Sequence, residues 1–281
     1  MAPIDVHVHP PTKEYLVDAG GKYLEAAFKY FHIPFEIKSI EQMIEEFEEA
    51  GVEKMVLLAW DAETATGLPK VSNDYIAKIV DKYPEKLIGF ASVDPHKGKV
   101  AVKELERAIE DLKLSGVKFQ QAAQQFFPNN KKYYPLYEKA VELKIPVLFH
   151  VGMTGWGAGL PGGGGVKLKY VRPIYIDDVA ADFPELKIIC AHPAWPWLDE
   201  MLAIAMHKPN VYIDLSGWAP KYFPETLIRY VNSLLSDKCL FGTDYPFIKP
   251  ARWLSEFKKL GLKPEVEKKI LEENAKRLFR I

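Results

Sequence analysis

The chain has 281 residues, enough for one β/α barrel or for two ordinary domains. Its 38 acids nearly cancel its 37 lysines and arginines, and a formal net charge of −1 argues against nucleic acid or an anionic membrane as the main partner. No apolar run approaches the ~18 residues of a membrane span. The start MAPIDVHVHP lacks a leader's basic, then apolar pattern, and the only cysteines, Cys190 and Cys239, sit in apolar runs as expected of a reducing cytoplasm.

Eight short apolar, often β-branched runs follow one another: Ile4–His9, Lys54–Ala59, Leu87–Asp94, Val117–Gln121, Val147–Val151, Ile188–His192, Val211–Leu215 and Leu240–Asp244. Stretches of helical spacing separate them. Ile40–Gly51 gathers Ile40, Met43, Ile44 and Phe47 on one face and stops at a glycine. Asn73–Tyr83 is closed by Pro84, and Val100–Leu114 ends before Gly116. Tyr134–Leu143, Ile176–Phe183, Trp197–His207, Thr226–Leu235, Trp253–Leu260 and Lys263–Phe279 complete the alternation. Strands alternating with helices predict parallel β/α units, and eight of them in this length predict one closed (β/α)8 TIM barrel over residues 1–281. The rival, an open doubly wound sheet, usually carries a glycine-rich turn after its first strand, where this chain has HVHPPTK. Two insertions stand out: a loop at about 10–39, and a segment at about 154–173 whose GLPGGGG is expected to be a flexible lid.

Side chains two apart on a strand share a face. His7 and His9 therefore project together, with Asp5 below them, while Ile4, Val6 and Val8 are expected to face the helices. Strand five ends at His150, strand six at His192 and strand eight at Asp244. Barrel active sites are assembled from the C-terminal ends of different strands, so four of the seven histidines and one aspartate converge on a candidate metal site. For Asp244 the alternative is a turn cap in T-D-Y-P, and for His192 a ligand's role instead of an acid–base one. The other histidines, His32, His96 and His207, fall in loops or near a helix end.

The stretches IDVHVHP, GVKFQ, PVLFHVG, IICAHPAWPW, VYIDLSGW, FGTDYPF and ILEENAKRLF, spread from end to end, resemble the amidohydrolase superfamily. The resemblance is to the branch of the aminocarboxymuconate-semialdehyde decarboxylases and many uncharacterised barrel hydrolases. It implies that His7, His9, His150 and Asp244 hold one divalent metal, usually zinc with manganese an alternative, and that His192 is the acid–base or electrostatic residue beside it. Such a metal lowers the pKa of its water to roughly 7, and Asp244 can also accept the water's proton.

Lys118, on strand four, is either a carboxylated metal bridge, as in some relatives, or a charge that binds a substrate anion or pairs with Asp5 or Asp94. Trp60, Trp156, Trp195, Trp197 and Trp218 follow strands closely, as do Tyr245 and Phe247, which suits an aromatic or planar small-molecule substrate or, equally, loop packing or a homodimer interface. Arg172, with Lys167 and Lys169, either offers charge to an anionic substrate or forms a solvated charged edge. The first expectation for function is hydrolysis by a metal-activated water attacking a carbonyl carbon of such an acid or acyl substrate. The alternative is a non-oxidative decarboxylase of an aromatic or dienoic acid, and a non-catalytic barrel is disfavoured because the ligand set is complete.

Overall fold

The computed structural model describes all 281 residues. Eight strands are present: β1 Ile4–Val8, β2 Lys54–Leu58, β3 Leu87–Phe90, β4 Val117–Phe119, β5 Val147–His150, β6 Ile188–Ala191, β7 Val211–Asp214 and β8 Cys239–Leu240. All pairings are parallel, in the orders β1-β2-β3 and β4-β5-β6-β7-β8. Two seams close the ring. Ala91 N donates to Gly116 O and Lys118 N to Ala91 O beside β3 and β4, while Val6 N donates to Phe241 O and His9 N to Tyr245 O beside β8 and β1. This is the (β/α)8 barrel. No helix is long and apolar enough to cross a membrane.

Every strand is shorter than its apolar run. Leu87–Asp94 contributes a ladder only to Phe90, and the run Leu240–Asp244 only Cys239–Leu240. The residues past each ladder peel away from their neighbours and build the rim of the barrel. Helices follow the expected spacing. The helix Ile40–Glu49 buries Ile40, Met43, Ile44 and Phe47, and Ser39 with Gln42 caps it reciprocally. The last helical stretch is interrupted by a π-helical turn, Lys269–Glu273, before Asn274–Phe279.

Two cores result. Between strands and helices lies a continuous layer that takes Met55 and Leu57, Val117 and Phe119, Val147 and Phe149, and Ile188 and Cys190. The second core draws on almost every strand, which only the barrel interior allows: Ile4, Val6, Val56, Leu58, Phe90, Leu148, Ile189 and Leu240. Ala275 and Leu278 of the last helix join it and plug its bottom. Truncating one of these side chains, as in Leu148→Ala, should cost ~2–5 kcal/mol.

This inner core corrects the strict alternation expected of β1. Ile4 and Val6 face inward rather than towards the helices, and only Val8 joins the outer layer. A register shift between Asp5 and Val8, where three steps on β1 match two on β2, re-phases the strand. The extra residue lets Val6 fill the interior while His7 and His9 are still presented at the mouth.

The two insertions meet above the barrel. Residues 10–39 carry a π-helical turn, Glu14–Ala19, and the helix Gly21–Tyr30. In the second segment, Pro161–Gly165 is a tight turn with Gly162, Gly163 and Gly164 in left-handed backbone. Tyr23 of the first stacks on Trp156 of the second with ring centroids 5.0 Å apart.

Candidate metal centre

β1 delivers His7 and His9, and its partners fix how His7 stands. His7 Nδ1 donates to Asp214 Oδ2 at 2.7 Å, and Ser216 Oγ donates to the same oxygen at 2.8 Å. Asp214 is the last residue of β7 and is wholly buried. With its Nδ1 proton committed there, His7 keeps a lone pair on Nε2, and that atom lies 3.3 Å from Asp244 Oδ1. His9 Nε2 lies 3.6 Å from the same oxygen. A lone pair facing a carboxylate oxygen repels unless a cation or a proton sits between them. The tightest grouping of ligand-capable atoms is His7, His192 and Asp244, all within 4.8 Å of one another.

His192 reaches this corner through its backbone. Cys190 faces the helices and Ala191 the interior, so continued alternation would turn His192 outward. Its φ of +82° swings it back over the mouth. There its Nδ1 lies 3.0 Å from Ser216 Oγ and its Nε2 3.1 Å from His150 Nδ1. Since Ser216 gives its own proton to Asp214, His192 donates to Ser216 and accepts from His150. That chain of donors leaves His150 Nε2 free, and it has no hydrogen-bond partner although buried. Glycines make the packing tolerable: a Cβ at Gly242 would fall 2.2 Å from Asp214 Oδ1, and one at Gly217 (φ +72°) 2.3 Å from His192 Nδ1.

Burial sets the charge states. It holds His7, His9 and His150 well below the ordinary imidazole value, with nearby cationic groups adding to the effect, and His192 down at about 4. The imidazoles are therefore neutral and their lone pairs available. Burial pushes Asp244 and Asp214 up, against the Lys118 charge in both cases; a bound divalent cation would reverse that direction. Neutral imidazoles and a carboxylate, with unpaired nitrogen beside them, are the donor chemistry of a divalent metal site.

The cavity above this corner is about 370 Å³. Trp60, Trp156, Trp218 and Phe247 line it together with Lys118 and all five candidate metal-centre residues. Trp60 and Trp156 pack with centroids 4.7 Å apart, and Tyr15 stacks on His9 at 4.4 Å. Lys118 is 1% exposed, and its Nζ has no hydrogen-bond partner, with neither Asp5 nor Asp94 taking it. Asp5 Oδ1 instead accepts from His7 N and Thr243 N, and Asp94 caps His96 N and Thr64 N.

Six of the residues named from sequence lie outside the cavity lining: Lys167, Lys169, Arg172, Trp195, Trp197 and Tyr245. Arg172 is half-exposed and forked onto Glu200, and Trp195 is 53% exposed, 6.1 Å from Trp218 between ring centroids. Conversely Arg252, from the helix Pro250–Phe257, lines the cavity and was not singled out, nor were Asp214, Ser216 or Tyr15. The D-x-S spacing of DLSG at a strand end was the signal available for Asp214 and Ser216. For Arg252, a helix residue, no local signal existed.

The family model described as Amidohydrolase matches residues 4–281. The chain belongs to the amidohydrolase family. An uncharacterised TIM-barrel protein of Bordetella bronchiseptica superposes with a TM-score of 0.86 at 28% identity, over 100% of this chain and 99% of that one. Gamma-resorcylate decarboxylase of Polaromonas sp. is 22% identical over 99% of this chain and 98% of its own length. A dihydroxybenzoic acid decarboxylase of Polaromonas sp., solved with bound manganese and the inhibitor 2-nitroresorcinol, gives a TM-score of 0.74 at 21% identity over 99% and 97% of the two chains.

Proposed function

We propose that this amidohydrolase-family enzyme is a metal-dependent, non-oxidative decarboxylase of a small aromatic acid. Hydrolysis, the first expectation from sequence, gives way because the relatives with named activities are decarboxylases of aromatic acids. The observation that carries the reading on this chain is the cavity itself. It joins a cluster of neutral imidazoles and Asp244 to walls of Trp60, Trp156 and Phe247, with one buried cation, Lys118. Flat aromatic walls suit a ring, and a cationic floor suits an acid.

In this reading His7, His9, His150 and Asp244 hold one divalent ion, manganese or zinc. Such an ion would orient the acid's oxygens and draw negative charge towards them. Asp214 keeps His7 in the tautomer with a free Nε2, the usual service of a carboxylate behind a ligating histidine. The aromatic walls exclude water and fix the ring plane. The carbon–carbon bond to the carboxylate breaks, carbon dioxide departs, and the electron pair left on the ring carbon takes up a proton. Asp244, through a carboxylate oxygen left free by the ion, and His192 are the two groups placed beside the ion to pass that proton. The small-molecule acid is the only partner this chemistry requires.

The test is elemental analysis of unchelated protein followed by assay of the manganese- and zinc-loaded forms on 2,6-dihydroxybenzoate and 5-carboxyvanillate. About one ion per chain and release of carbon dioxide are expected. Turnover of esters or lactones with no carbon dioxide from any aromatic acid would return the site to hydrolysis.

A further inference from the structure

Lys118 is the one fully buried side-chain cation of the cavity, and the fold gives it nothing to hold. It projects inward from β4 between the outward Val117 and Phe119, is 1% exposed, and its Nζ makes no hydrogen bond. The cavity's other strong cation, Arg252, is half-exposed and engaged by Glu256 at 3.0 Å. A second donor in the same cavity is also idle: Trp156 Nε1, on a residue only 4% exposed, has no partner. Leaving a buried ammonium and a buried N–H unpaired is costly, and stable folds seldom tolerate either without a reason. Both residues line one space of about 370 Å³, open to an occupant that supplies oxygen acceptors.

We infer that Lys118 and Trp156 form a two-donor subsite for an anionic oxygen of the ligand, with Lys118 setting the preference for acids over neutral rings. The anionic oxygen is a carboxylate or an ionised ring hydroxyl. Lys118 is a binding residue here, and no bond to it forms or breaks. The inference rests on the aromatic-ligand reading of the cavity but needs no turnover.

Binding to manganese-loaded protein, read by calorimetry, separates the possibilities with three probes: benzoate, 4-nitrophenolate and neutral nitrobenzene. Lys118→Met should weaken the anions by at least about tenfold and leave nitrobenzene within about twofold, because hydrogen bonds to charged groups are the strong ones. A loss confined to benzoate assigns the subsite to a carboxylate, and one confined to 4-nitrophenolate assigns it to a ring oxygen. Trp156→Phe, which keeps a ring but removes the N–H, should weaken the same anion a few-fold. Lys118→Gln, with its own thermal melt, guards against a misfolded methionine variant and should show the same selective loss. Equal weakening of all three probes, or no change in any, overturns the subsite. So does loss of metal from both Lys118 variants, which would make Lys118 part of the metal site. Anion preference without carbon dioxide release would keep the subsite and remove the decarboxylase reading.

Discussion

The two walls of the cavity differ in how their polar atoms are connected. On the side of β1, β7 and β8, hydrogen bonds join His7 to Asp214, Asp214 to Ser216 and Ser216 to His192, and Asp5 Oδ1 accepts from two backbone N–H groups, so that only Asp5 Oδ2 and His9 Nδ1 lack a partner there. On the side of β4 and β5, Lys118 Nζ, His150 Nε2 and Trp156 Nε1 are buried and idle. A wall whose hydrogen bonds close on themselves holds its histidines at fixed angles before anything binds. A wall with unpaired donors and lone pairs is stable only at a cost that a ligand removes. The first is built for orientation and the second for occupancy.

The sharpest way to break this contrast is to strip the oriented wall of its metal-facing nitrogens. His7→Ala with His9→Ala should abolish bound metal and lower decarboxylation by at least about 10³-fold. Full metal occupancy in the double variant would remove these histidines from the ligand set. Asp214→Asn tests the network rather than the ligands. It leaves the His7 side chain in place but removes the charge behind His7 Nδ1 and replaces one of the two accepting oxygens with an NH2 donor, so metal affinity should fall ~10–100-fold. An unchanged affinity would make the Asp214–Ser216 chain a packing device. His192→Asn should keep the metal and lose ~10²–10⁴-fold in activity if His192 handles the proton. Loss of metal instead would follow from the close grouping of His7, His192 and Asp244.

Metal affinity should also carry a pH signature that separates the carboxylate from the imidazoles. Asp244 must shed its proton to bind a cation, and burial raises its pKa to about 7 in the metal-free protein. Between pH 5.5 and 7 affinity should therefore rise with pH by about tenfold per unit, the slope of one proton, and then level off. The imidazoles are depressed by burial and add nothing in that window; His192, at about 4, loses its proton below it. Calorimetric titration of manganese at pH 5.5, 6.5 and 7.5 reads the slope. A slope of two or three protons would mean the histidines are charged in the empty site.

The barrel was legible because parallel strands buried on both sides must be apolar throughout, and eight such runs have few other arrangements. The strand ends that bring His7, His9, His150, His192 and Asp244 to one cavity were legible because barrel chemistry gathers at one rim. What escaped was local backbone behaviour. Alternation could not foresee the register shift that turns Val6 inward, nor the positive φ that turns His192 back, because both depend on neighbouring strands rather than on the residues themselves. Asp214 and Ser216 escaped because their role lies in contacts to β1, some two hundred positions away along the chain.

Arg172 gives the mildest test and marks where sequence proximity misleads. It follows the glycine-rich segment, of which only Thr154, Gly155 and Trp156 line the cavity, and its guanidinium is 49% exposed and bonded to Glu200, whose carboxylate also caps Ile174 N. An exposed ion pair of this kind contributes little energy. Arg172→Ala should therefore change KM for an aromatic acid by less than about fivefold and leave kcat alone. Arg252→Ala should raise KM more, because Arg252, although likewise paired (with Glu256), lines the cavity and Arg172 does not. If the ranking is reversed, the segment carrying Arg172 must close over the cavity when the acid binds.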